Sequence, residues 1–138
     1  MSSPSLTNRR HILLADDDED DCLLFKDALE ELELPVYLTV TNNGEQLMQA
    51  LSDTNGLLPD IIFLDLNMPR KNGFECLTEI KQSEKLKQLP IVIFSTSFEK
   101  DMADLLYRQG AQYCIRKPNE FSRLKEVIHQ ALSMNTTA

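Results

Sequence analysis

Positive charge is scarce in this sequence. Fourteen Lys and Arg stand against twenty-two Asp and Glu, a formal net charge of −8. Such a surface repels a phosphate backbone, which argues against direct nucleic-acid binding. Long apolar runs are also missing: none approaches the roughly 18 residues that a membrane span requires. Met1 to Asn8 is Ser-rich and has no apolar core, so secretion is not suggested. Cysteine is sparse and odd in number, with Cys22, Cys76 and Cys114 far apart and no CxxC pair. His11 and His129 are remote in sequence as well, which argues against a zinc site. The thiols are expected to be buried and reduced, as in a cytoplasmic protein. No internal repeat or low-complexity block is present.

What remains is globular in character. The chain has 138 residues, 42% hydrophobic and 26% charged, enough for one ordinary domain and too short for two. A domain over residues 10–133 is expected, between mobile tails at 1–9 and 134–138. Short apolar runs punctuate it: Ile12 to Ala15, Val36 to Val40, Ile61 to Leu64, Ile91 to Phe94 and Tyr113 to Ile115. Their brevity and β-branched content predict strands. Their near-continuous hydrophobicity predicts burial on both faces. Helical patterns lie between them. Cys22, Phe25, Leu29 and Leu32 recur at helical spacing. Asp18 is placed to cap that helix, with Glu19, Asp20 and Asp21 at the positive end of its dipole and Pro35 ending it. The last helix is predicted from about Asn119 or Glu120 to Leu132. Gly44, Gly73 and Gly110 punctuate later connections. This alternation predicts an α/β fold, a doubly wound parallel sheet with helices on both faces.

In such a sheet, ligands bind at the carboxyl ends of the strands. Asp16 and Asp17 follow the first strand, and Asp65 ends the third. Ser95 and Thr96 end the fourth, while Arg116, Lys117 and Pro118 end the fifth. The fold gathers these into one crevice. Three carboxylates so close repel one another, and at least one stays protonated unless a cation enters. A partly hydrated Mg²⁺ suits such an open cluster. With the ammonium of Lys117 and the hydroxyl of Ser95, the set fits phosphoryl transfer to a carboxylate. Asp65 carries the most weight, because it follows four apolar residues where an idle aspartate is costly. Asp18 to Asp21 read more simply as cap and solvated turn.

Four segments together resemble the response regulator receiver family. They are Ile12 to Asp18, Leu64-Asp65-Leu66-Asn67-Met68-Pro69 with Asn72-Gly73, Ile93 to Thr96, and Lys117-Pro118. The resemblance covers about Arg10 to Leu132. Pro69 to Gly73 and Ile80-Lys81-Gln82 further resemble the stand-alone regulators associated with bacterial phytochromes. The resemblance implies a flavodoxin-like (βα)5 fold with strand order 2-1-3-4-5. It also implies that Asp65 accepts a phosphoryl group from the histidine of a sensor histidine kinase or a histidine phosphotransfer protein. Mg²⁺ would then be held by Asp16, Asp17, Asp65 and the backbone carbonyl of Asn67. Lys117 would pair with the acids and then with the phosphoryl oxygens. Ser95 would swing in to bond one of those oxygens, pulling the following loop with it. A cis Lys117–Pro118 bond is expected.

The sequence departs from the family at two places. Cys114 holds the position of the usual switching Tyr or Phe, and Tyr113 one place earlier faces the opposite side of a strand. Thr96 stands where Ala or Gly is common, and with Asn67 and Ser97 it falls among the residues that tune phosphoryl lifetime. The expected readout surface is the fourth helix, fifth strand and fifth helix, roughly Phe98 to Gln130. With few residues beyond the last helix, the signal is expected to leave through an unidentified downstream protein, a homodimer, or onward transfer to a phosphotransfer histidine. Kinase recognition is expected on the first helix around Cys22, Leu23 and Phe25.

Other readings compete. In a small phosphatase of the haloacid dehalogenase class, Asp16 would be the nucleophile and Asp18 the acid/base, which leaves the Asp65 motif unexplained. A degenerate receiver would keep the fold as an interaction module without phosphorylation. A flavin carrier of the same fold would want Ser, Thr and amide donors in its phosphate cradle rather than aspartate.

Overall fold

The computed structural model describes residues 9–53, 57–96 and 98–134. Strands and helices alternate throughout: β1 (Arg10–Ala15), α1 (Glu19–Leu32), β2 (Val36–Thr41), α2 (Gly44–Ser52), β3 (Ile61–Leu64), α3 (Gly73–Gln82), β4 (Ile91–Ser95), α4 (Lys100–Arg108), β5 (Tyr113–Arg116) and α5 (Phe121–Met134). The five strands form one parallel sheet in the order β2-β1-β3-β4-β5, the flavodoxin-like arrangement expected. Residues 1–8 and 135–138, most of the expected tails, lie outside the described residues.

Alternate strand residues feed two cores. On one face Leu13, Ala15, Ile62, Leu64 and Ile93 pack with Leu47 of α2, Leu77 of α3 and Leu106 of α4. On the other, Ile12, Leu14, Phe63, Val92 and Phe94 pack with Phe25 of α1 and Leu124 and Ile128 of α5. Central β3 and β4 are buried at every residue, which explains their unbroken apolar runs. β2 and β5, at the sheet edges, are only half-buried over most of their length. Phe25 meets Phe63 and Phe94 edge-on, with ring centroids 5.0 and 5.8 Å away, fixing α1 against the strands that end at the crevice.

The helix ends follow the local chemistry. The Asp18 carboxylate accepts the Asp21 amide and caps α1, whose carboxyl end reaches Glu33 in a left-handed conformation two residues before Pro35. Asn72 and Glu75 form a reciprocal capping box at the start of α3. The Glu120 carbonyl accepts the amide of Leu124, so Glu120 stands at the threshold of α5. That helix runs to Met134, two residues past the expected Leu132.

Candidate functional site

The carboxyl ends of β1, β3, β4 and β5 converge as the topology requires. Parallel pairing sets Asp65 beside β1, with its amide donating to the Ala15 carbonyl at 2.9 Å. The amide of Lys117 donates to the Ser95 carbonyl at 2.8 Å, which ties the β5 end to the β4 end. The loop after Asp65 is held by a close approach. The Gly73 amide donates to Leu66, and a Cβ on Gly73 would lie 2.2 Å from the Asp65 carbonyl oxygen. Only a glycine lets α3 begin so near the crevice floor. Gly44 plays the same part at the start of α2, where a Cβ would meet the Lys71 carbonyl oxygen at 2.1 Å.

Within the crevice, carboxylate oxygens of Asp16, Asp17 and Asp65 all lie within 4.8 Å of one another. Asp16 and Asp65 are buried, at 1% and 6% exposure, while Asp17 opens to solvent. The Lys117 ammonium sits among them, 2.6 Å from Asp16 Oδ2, 2.8 Å from Asp21 Oδ2 and 3.6 Å from Asp65 Oδ2. Among the described residues this ammonium pairs with three carboxylates, and Asp17 stands beside two of them, an excess of negative charge around the buried Asp16 and Asp65. Burial pushes the Asp16 carboxyl up to about 6, against the opposing pull of its hydrogen bonds from Lys117 and the Asp18 amide. Burial alone would lower the Lys117 pKa, but hydrogen bonds to Asp16 and Asp21 and the attraction of Asp16 and Asp65 raise it.

An all-oxygen donor set with one solvent-open carboxylate is the chemistry of a hard divalent cation that keeps part of its water. The residues therefore fit a metal of the Mg²⁺ type. Ser95 is fully buried, and its hydroxyl has no hydrogen-bond partner among the described residues. A buried orphan hydroxyl at a strand end beside a carboxylate crevice is a donor awaiting an oxygen ligand.

The remaining expected site residues fall as follows. Thr96 is exposed at the crevice rim, and Ser97 lies outside the described residues. Asn67 is exposed and lines a neighbouring cleft with Asn72, Phe98 and Met102. Cys114 packs with the α2–α4 core and Tyr113 with the opposite one, so the two do face opposite ways. The expected cis bond before Pro118 is not found: the described residues contain no cis peptide, and Lys117–Pro118 is trans. Trans is favoured by about 0.5–1 kcal/mol even before proline, and Lys117 reaches its carboxylates from that backbone.

Asp21 is the site residue that sequence reasoning missed. In sequence it reads as a helix-dipole acid, yet its carboxylate binds Lys117. The signal was its place as third residue of a helix that starts at the crevice, where side chains lean back toward the cap. Asp18, by contrast, is spent as that cap, which leaves the phosphatase reading without its acid/base. Cys22, Cys76 and Cys114 are free, and burial pushes each thiol up to about 11, so all three stay protonated near neutrality. No helix among the described residues is long and apolar enough to cross a membrane.

Known proteins resemble this chain in sequence and fold. The response regulator receiver domain family matches residues 12–129. Response regulator Rcp1 of Synechocystis is 36% identical over 94 residues, covering 65% of this chain and 64% of that protein. Among solved structures, the phosphorylated cyanobacterial phytochrome response regulator RcpA superposes with a TM-score of 0.84 at 31% identity, over 91% of this chain and 93% of that one. The Mn²⁺-bound form of Rcp1 superposes with a TM-score of 0.78 at 29% identity, over 90% and 92% of the respective chains.

Proposed function

The chain belongs to the response regulator receiver family of two-component signalling, and on that premise we propose that it is a switch phosphorylated on Asp65. The observation that carries this is the buried Asp65 carboxylate at the end of β3, sharing a carboxylate cluster with Asp16 and Asp17 and lying 3.6 Å from Lys117. An Asp65 oxygen forms the new bond to phosphorus as the bond from phosphorus to the donor histidine nitrogen breaks, its electron pair leaving with the imidazole. Asp16, Asp17 and Asp65, with the Asn67 carbonyl, would hold Mg²⁺. When bound, the ion neutralises the attacking and transferred oxygens. Lys117 holds Asp16 and Asp65 in place beforehand and offers its ammonium to the incoming charge. Ser95 supplies its unpartnered hydroxyl to a phosphoryl oxygen.

The donor is a sensor histidine kinase or a histidine phosphotransfer protein. A phytochrome-linked kinase is favoured, because several similar solved structures are phytochrome response regulators. The catalysis is confined to the chain's own phosphorylation and dephosphorylation, in the cytoplasm. The output partner docks on the α4–β5–α5 face, where a groove of about 700 Å³ is lined by Tyr107, Cys114, Arg116, Arg123 and Met134 among others. That partner is a protein or a second copy of this chain rather than nucleic acid, given the net charge of −8.

Acetyl phosphate, with and without Mg²⁺, tests the reading on wild type and Asp65→Asn by intact mass. One Mg²⁺-dependent phosphate that disappears in Asp65→Asn is expected. Labelling that survives in Asp65→Asn overturns the assignment.

A further inference from the structure

Cys114 carries no ring, and α4 meets β5 chiefly through polar bonds. α4 is weakly held by packing. Leu106 is its only buried residue, and Glu99 at its amino end makes no side-chain cap bond. Two polar ties to β5 bracket the helix instead. At its amino side, Arg116 Nη2 donates to the Phe98 carbonyl at 3.1 Å, and the guanidinium stands over the Phe98 ring at 5.7 Å. At its carboxyl side, the Tyr107 hydroxyl accepts the Cys114 amide at 3.0 Å, an amide on the edge strand of the sheet among the described residues.

The tie at the amino side belongs to the path from the site, and the one at the carboxyl side holds the other end of the same helix. Arg116 pairs with Ser95 in the sheet register and precedes Lys117. Phe98 lies three residues beyond Ser95, in the loop that leads into α4. Any movement of Ser95 and Thr96 toward an oxygen on Asp65 draws this loop and works against the Arg116–Phe98 bond.

We propose that Arg116 and Tyr107 are tethers that hold α4 on β5 in the resting state, and that their release couples the phosphoryl site to the α4–β5–α5 face. This rests on Asp65 being the phosphoryl acceptor. With one buried residue as pivot, the helix has two alternative positions whose balance the tethers set. A ligand that needs the released state binds more weakly by the fraction of molecules still tethered. Losing one hydrogen bond of ordinary net worth shifts that balance roughly fivefold.

The test uses Tyr107→Phe, which removes only a hydroxyl, and Arg116→Gln, both at exposed positions. Hydrogen exchange of the α4 amides and titration with beryllofluoride in Mg²⁺ are read for each full-length protein. Exchange over 100–109 is expected to rise about fivefold with α1 and α5 unchanged, and beryllofluoride affinity to tighten by a similar factor. Unchanged α4 exchange, or looser α4 with no gain in affinity, overturns the tethers. A wild type that binds no beryllofluoride refutes the phosphoryl-acceptor reading and the coupling with it. A wild type that binds it, with variants that bind no tighter, refutes the tethers alone.

Discussion

Replacing Lys117 by Met removes the ammonium that pairs with the crevice carboxylates while keeping most of the side-chain volume. The consequence has a definite pH signature. In the native protein Asp16 titrates at about 6, well above its ordinary 3.8. A raised carboxyl pKa contributes stability below the unfolded value, and that contribution is lost as pH rises through about 6. Without Lys117, ionising a carboxylate that is 1% exposed becomes costlier still, so its pKa moves further up. Below about pH 5 Asp16 is protonated in both proteins, and the difference between them is constant. Above about pH 6 only the variant keeps its proton, so the stability gap opens by about 1.4 kcal/mol per pH unit until the variant's own pKa is reached. Urea unfolding at half-unit steps from pH 5 to 8, with equal slopes in denaturant, measures this. Added Mg²⁺ should narrow the gap at pH 8 by supplying the missing charge. Parallel curves across the whole range would refute the idea that Asp16 and Lys117 share a buried electrostatic balance.

Two further outcomes follow from the geometry. Gly73→Ala sets a Cβ 2.2 Å from the Asp65 carbonyl oxygen, and should cost about 1–3 kcal/mol by overpacking while impairing Mg²⁺-dependent labelling; a urea midpoint equal to wild type would contradict the close approach. Ser95→Ala removes a buried hydroxyl that has no partner among the described residues, so stability should hold or rise by about 1 kcal/mol. Labelling by acetyl phosphate should meanwhile slow roughly a hundredfold, which is checked by the time course of intact mass.

Much of this was legible in the sequence because burial on both faces leaves a plain mark. β3 and β4, apolar at every position up to their polar ends, announced themselves, and with them the positions of Asp65 and Ser95 at the crevice. The Asp18 cap and the amphipathic stripe of α1 were equally readable, since both are local. What was hidden depends on contacts between distant residues. α4 buries a single residue, so its amphipathic signal has little core behind it. Nothing local says that Tyr107 bonds the Cys114 amide or that Arg116 reaches Phe98. Asp21 was legible as a helix-dipole acid and illegible as a partner of Lys117, ninety-six residues away. The cis bond before Pro118 came from resemblance alone, and the backbone is trans.

The loop from Leu66 to Lys71 is clasped between two helix beginnings, each admitting only a hydrogen where a side chain would otherwise stand. Within it Met68 faces inward, whereas Asn67, Pro69 and Arg70 face water, Arg70 in a left-handed backbone with its guanidinium 3.3 Å from Glu45. The path of the chain is therefore set by the two glycines, while three of its side chains stand clear of the core. A descendant of this protein can exchange those outward side chains beside Asp65 without redrawing the path of the chain.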